Sequence, residues 1–308
     1  MNVTLSQMAI LFVFIALGYA FGKLKLIPDD ASKVLSKLEL YLLLPAYTFD
    51  TMSKNLTVDR LSTEYPLIIA SAVIVAVTFG LSLLLAKLFS DNPDTRAVYS
   101  YAFTIPNTGY IGYPLISAIF GETVLLDYMV FCIPLNLFIY TVGIYMLNPK
   151  HELKLSKLIN PVIISVLLGG IAGLTGLTMP SVVDGVISNA KSCMGPIAML
   201  LTGMVLAKSP LKEMLGNPKM YIAGQIRLIW IPLIAGAIMY LIKLDGYIAT
   251  LSCCMLCLPM GLNNIVFPEA FGGDSKTGAQ SCFVSNVLAI LTVPVAFAII
   301  TTVFQFCD

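Results

Sequence analysis

Ten stretches of nearly continuous apolar residues run along the chain, at about 5–22, 32–52, 66–89, 97–120, 124–147, 160–179, 182–207, 220–242, 247–271 and 278–304. A span of roughly 20 apolar residues crosses the hydrocarbon core as a helix. The connections between the stretches are short and hold most of the charge, so the pattern predicts an all-α integral membrane protein of ten transmembrane helices. Two stretches are interrupted, at Ile105-Pro106-Asn107-Thr108-Gly109 and at Leu258-Pro259-Met260-Gly261-Leu262-Asn263-Asn264. Proline removes a ladder hydrogen bond and clashes with the preceding turn. The bilayer tolerates the backbone opened in this way only around a cavity.

The interruptions stand at matching places in two halves. Gly18 aligns with Gly169, Pro28 with Pro180, Pro45 with Pro196, Pro106 with Pro259 and Asn136 with Asn286, at offsets between 150 and 153 residues. A nearly constant offset from the first stretch to the last of each half points to duplication. Five spans per half is an odd number, so the second copy enters the membrane from the opposite side and the repeat is inverted. The expected organisation is a first five-helix repeat over 1–147, a cytoplasmic linker over 148–159 and a second, inverted repeat over 160–308. Paired broken helices, here the fourth and ninth, are where such repeats place substrate and coupling ions.

Composition agrees: 58% of residues are hydrophobic, 11% are charged, and the net charge is +1. Of the 18 basic residues, thirteen fall on one side of the ten spans and three on the other, while Lys191 and Arg227 fall inside spans. Basic residues near span ends stay in the cytoplasm, so both termini are expected outside it and the chain in the inner (plasma) membrane. The first stretch has no basic residue before Met8 and runs on to Gly22, so it reads as a helix and not as a cleaved signal.

Several motifs carry a family resemblance. Pro106-Asn107-Thr108 is followed by Gly112, Pro114, Leu115 and Phe120-Gly121; Pro259-x-Gly261 is followed by Val266-Phe267. Arg227-Leu228 stands ahead of Pro232, and Gly203-Met204 near the end of the seventh stretch. Over essentially the whole chain these resemble the auxin efflux carrier family, which includes plant auxin carriers and many bacterial permeases. The resemblance implies a five-plus-five inverted repeat in which a scaffold domain moves against a domain built around crossing helices four and nine. It also implies kinship with bile-acid, arsenite and riboflavin transporters. The short central loop departs from the plant carriers, lacks their large cytosolic segment, and is the compact form of the bacterial permeases.

The candidate binding residues are Pro106, Asn107, Thr108, Pro259, Asn263 and Asn264 at the breaks, with Asn136, Asn286 and Arg227. Opened half-helix N-termini present amides suited to an anion, and the Asn and Thr side chains add neutral donors. The bland reading is that the asparagines only patch backbone freed by proline, or glue helices together. Arg227 lies about seven residues into the eighth stretch, and an intramembrane charge is a functional hypothesis by default, with snorkelling to the headgroups as its alternative. Glu39 and Lys191 occupy equivalent repeat positions but, by inversion, opposite faces, so Asp50 is the better partner for Lys191. Cys253, Cys254, Cys257 and Cys282 read as small packing residues, not as a soft-metal site.

No metal or cofactor is expected. Gly273-Asp274-Ser275-Lys276-Thr277 lacks the glycine before lysine of a phosphate loop, and one histidine, His151, leaves little general-base capacity. The expected activity is secondary transport of a small organic anion, malate-like or auxin-like, by alternating access at the helix four and nine crossover. The alternatives are a sodium-coupled carrier of a bulkier amphipathic solute such as a bile acid, and a non-transporting membrane receptor. Expected partners are the anion, a coupling sodium ion or proton, the lipid bilayer and a second copy of the chain; nucleic acid is not among them.

Overall fold

The computed structural model describes residues 2–149, 161–208 and 216–303, which are helical throughout, with no strand among them. Most of the expected linker, with Lys150, Lys154 and Lys157, lies outside the described residues, as do Lys212 and the C-terminal five residues. Helices begin where side chains satisfy the first free amides. Asn92 Oδ1 accepts from the amides of Asp94 and Thr95 at 2.9 and 3.1 Å, just ahead of the helix Pro93–Thr104. Asn217 does the same for Lys219 at 3.1 Å ahead of Pro218–Gln225. In both, proline takes the first helical position, where its missing N–H costs nothing.

Among the described residues four helices are long and apolar enough to cross a membrane: Tyr65–Lys87, Ser181–Ala207, Pro218–Leu241 and Ser275–Ile300. Thr123–Phe131 and Ile133–Met146, bent by 42° at Cys132, make a fifth if the pair is one broken span. The expected ten spans exceed this number because several stretches are split. The fourth ends at Thr104 and resumes at Thr108, and the ninth ends at Leu256 and resumes at Asn263. Phe12–Lys23, Pro161–Thr175 and Gly246–Leu256 are shorter apolar helices, and the helices flanking Glu39–Leu43 are pieces of an interrupted stretch.

Proline also explains a subtler feature. Wide, π-type turns occupy Glu39–Leu43, Thr108–Gly112 and Ile226–Trp230, and each is followed two residues later by Pro45, Pro114 or Pro232. A proline cannot donate to the carbonyl four residues back and pushes against it, so the ladder widens by one residue just ahead of the ring. Such bulges recur at functional sites. These three place Glu39, Thr108 and Arg227 in their first two positions, and a fourth, Ile139–Gly143, contains Tyr140.

The helices group across the sequence halves. Asn2–Lys23 lies along Ser181–Ala207, and Leu44–Asn55 along Pro161–Thr175, forming one bundle. The other joins Tyr65–Lys87 and Pro93–Thr104 with Pro218–Leu241, Gly246–Leu256 and Ser275–Val303. In the first bundle the backbones touch, as small residues allow in membranes. A Cβ on Gly18 would come 2.1 Å from the Leu200 carbonyl oxygen, one on Gly203 2.0 Å from that of Ile15, and one on Gly169 2.8 Å from that of Phe49. Gly18 and Gly169, matched by the repeat offset, thus serve the same purpose on different helices. Gly203→Val is expected to lower the thermal midpoint in detergent by overpacking worth ~1–3 kcal/mol or more. Gly80→Ala, where a Cβ meets nothing within 4 Å, should instead raise stability by roughly 0.5–1 kcal/mol. Outward, Val73, Val77, Leu81, Leu84, Leu233 and Leu291 are exposed, a surface suited to lipid.

Candidate functional site

The two breaks meet. The Asn107 amide donates to the Pro259 carbonyl at 2.8 Å, and the Gly261 amide to the Ile105 carbonyl at 3.1 Å, so Pro106 and Met260 form a short antiparallel bridge. Backbone groups that proline strips from each helix ladder are therefore satisfied by the other break. The last helix supplies the rest: Ser285 Oγ accepts from the Met260 amide at 3.0 Å, and Cys282 Sγ donates to the Gly261 carbonyl at 3.3 Å. Gly261 permits the approach, since a Cβ there would sit 3.3 Å from the Pro106 carbonyl oxygen.

Against this bridge lies a cavity of about 30 Å³ between the two bundles. Tyr47 and Met194 come from one bundle; Ile105 to Gly109, Asn136, Ile139, Tyr140, Gly261, Leu262 and Asn263 come from the other. The space has room for only a water or two, too little for an organic anion, and in that sense the site is closed. Asn107, Thr108 and Asn136 are buried in its wall. Asn136 Nδ2 donates to the Tyr113 hydroxyl at a long 3.4 Å, and Asn263 faces the hydroxyls of Tyr101 and Tyr140.

Not every expected residue reaches the cavity. Asn264 points into the adjoining helix, its Nδ2 3.5 Å from Ser281 Oγ, and Asn286 Nδ2 donates to the Cys282 carbonyl at 2.7 Å. Both act on the frame that holds the second break. Arg227 is wholly buried, with no hydrogen-bond partner on any of its three nitrogens, in electrostatic reach of Cys257 and Tyr128. A guanidinium this enclosed does not snorkel. It also does not line the closed cavity; Tyr128, its neighbour, abuts Gly112 just after the first break.

Tyr47, Met194 and Tyr140 were not singled out by the sequence, because an aromatic or methionine within an apolar run has the signature of core. Lys191 does pair with Asp50, at 2.5 Å, and its ammonium stands 5.9 Å over the Tyr47 ring. Lys54 joins Asp50 to Asp184, at 2.5 and 3.1 Å. The cavity wall on this bundle therefore abuts a charged network. A second polar cluster ties the bundles together away from the cavity. Glu269 Oε1 accepts from Ser32 Oγ and Lys208 Nζ, both at 2.6 Å, and Oε2 accepts from Ser275 Oγ at 2.5 Å. Ser32 and Lys208 belong to the first bundle, Glu269 and Ser275 to the second.

Comparison with known proteins gives the family. The chain is 23% identical over 297 residues to the uncharacterized transporter YfdV of Escherichia coli (strain K12), covering 92% of this chain and 93% of that one. An uncharacterized transporter of Methanocaldococcus jannaschii is 23% identical, with 92% and 94% covered. A putative malonate transporter of Rhizobium meliloti is 24% identical over 301 residues, with 92% and 91% covered. The membrane transport protein family matches residues 3–157 and 150–297. With two broken helices joined backbone to backbone around a polar cavity, and a family match over nearly its whole length, this chain belongs to the membrane transport protein family.

Proposed function

We propose that the protein is a secondary transporter of small organic anions, with a short dicarboxylate such as malonate as the leading substrate, working by alternating access at the paired breaks. The observation that carries this reading is the cavity wall itself. It unites Asn107, Thr108, Asn136 and Asn263 with the starts of two half-helices, neutral donors and amides of the kind that hold a carboxylate. The name of the Rhizobium meliloti relative points to the same chemistry. Ten spans in a five-plus-five inverted repeat, crossing at helices four and nine, with both termini outside the cytoplasm and the chain in the inner membrane, complete the reading.

Within it, Asn107, Thr108, Asn136 and Asn263 contact the anion, while Pro106, Pro259, Asn264 and Asn286 keep the breaks open. Arg227 supplies positive potential from behind. The Tyr47 and Met194 wall moves away from the breaks to admit substrate. A homodimer is compatible with the exposed apolar surface, and the coupling ion is taken up below.

Uptake of labelled malonate into proteoliposomes tests this. Counterflow into vesicles preloaded with unlabelled malonate, absent from protein-free vesicles, is expected; stabilisation by malonate without counterflow would make the protein a receptor. Asn107→Ala and Asn263→Ala should each abolish most malonate-induced stabilisation while moving the ligand-free midpoint little. Were they only patching backbone, each would cost ~1–3 kcal/mol of stability and leave the response to ligand in place. A bile-acid-like solute competing better than malonate would favour the bulkier-substrate alternative.

A further inference from the structure

Glu39 stands out in the bundle opposite Arg227. It opens the wide turn Glu39–Leu43, is completely buried, and neither carboxyl oxygen makes a hydrogen bond. The polar group nearest to bonding it is the backbone amide of Ala198. The charged and titratable groups on every element packed against this turn are otherwise engaged or remote. On Ser181–Ala207, Lys191 is bound to Asp50 and Asp184 to Lys54. Beyond that helix's end, Lys208 is bound to Glu269, the one acid of Asn263–Phe271. Lys33 and Lys37 of Ala31–Leu38 are exposed, Tyr47 of Leu44–Asn55 faces the cavity, and Pro161–Thr175 has no titratable side chain. From the second bundle Tyr140 is in electrostatic reach of Glu39 and also lines the cavity.

We propose that Glu39 is the proton-binding group that couples anion transport to a pH gradient. This rests on the transport reading above. A carboxylate sealed from water without a counter-charge is neutralised by taking up a proton, and among the described residues the cations on the elements packed against this turn are bound to other acids or exposed. A proton fits better than sodium, because the group facing the carboxyl is an N–H donor, which repels a metal ion, and no cluster of acidic, histidine or cysteine side chains among the described residues could hold one.

The turn also touches Asn263–Phe271, the half-helix that follows the second break in the other bundle. When the bundles part to open the cavity, that contact is lost and water reaches the carboxyl through the space beside Tyr140. The acid then ionises on the more alkaline side and is reloaded on the more acidic side. One proton moves in the direction of the anion in each cycle, bound as Glu39 O–H and released to water, with no other bond made or broken. Acidic residues within membrane segments serve as proton relays in this way.

The test uses the full chain in proteoliposomes, with malonate as probe and pH held above the acid's own titration range. Homoexchange is read separately from net uptake. Wild type should exchange malonate, and its net accumulation should rise about tenfold per pH unit by which the outside is more acidic than the lumen and collapse with nigericin. Glu39→Gln, which mimics the loaded acid, should retain exchange and lose the response to pH; Glu39→Asp should keep both. Pyranine trapped in weakly buffered vesicles should report acidification of the lumen during wild-type uptake, a readout that does not depend on the variants folding. Gradient-driven accumulation that survives in Glu39→Gln, or wild-type uptake that follows sodium and ignores pH, overturns the proposal. Absence of wild-type homoexchange would instead refute the transport reading.

Discussion

Arg227→Met is expected to raise the thermal midpoint of the ligand-free protein while weakening malonate binding. The two effects have one cause. A guanidinium cannot shed its proton, so at this depth it stays charged, and an arginine at a helix centre costs ~2.5–3.5 kcal/mol on insertion scales. With three buried nitrogens lacking partners, that cost is not offset within the ligand-free protein. Methionine fills similar space without charge and relieves it. For the anion, a full charge at ~6 Å through an effective dielectric of ~20 is worth roughly 3 kcal/mol before desolvation, and a third of that is about fivefold in affinity. Measuring the midpoint with and without malonate checks both. A lowered ligand-free midpoint would mean that Arg227 anchors the fold, and unchanged affinity would remove it from the substrate's electrostatics.

Glu269→Ala should unlatch one face of the protein. Its carboxylate collects three donors from both bundles, and truncation leaves Lys208, Ser32 and Ser275 without that acceptor. The Lys208 side chain is 47% exposed, so solvent screening reduces its share to that of a surface pair, ~0.2–1 kcal/mol. The buried Ser32 hydroxyl adds ~1 kcal/mol. The sum favours the parted state by about tenfold. A cysteine placed at buried Ser36, one turn along from Ser32, with exposed Cys193 replaced, should react correspondingly faster with a membrane-impermeant maleimide. The charge-swapped pair Lys208→Glu with Glu269→Lys should slow it again. Equal labelling in all variants would show that the cluster does not hold the bundles shut.

The apolar runs and the prolines account for much of the architecture without any tertiary information. Burial of the backbone in lipid forces helices on these runs, and Pro106 and Pro259 must open theirs whatever surrounds them. That the two openings carry Asn107, Thr108 and Asn263, and that the chain transports, could be argued from spacing and resemblance. The pairing of Lys191 with Asp50 was also expected, and the two side chains do meet.

The fold itself decided which polar residues share a space. Asn136 and Asn286 stand at matching places along the two halves of the sequence, yet Asn136 lines the cavity and Asn286 caps a carbonyl in its own helix. The breaks bond to each other through Asn107 and Gly261 amides and not only through side chains, a choice that depends on how two distant segments dock. Tyr47 and Met194 enter the site only because a second bundle closes over it, and nothing local distinguishes them, or Tyr140, from core. Glu269, Ser32 and Lys208 meet across 237 and 61 positions of chain. Local chemistry determines where a helix runs and where it must break, since those energies act between near neighbours in sequence. The cavity and the latch arise from contacts between bundles, and the isolation of Glu39 and Arg227 from packing among distant segments, which no single stretch of residues encodes.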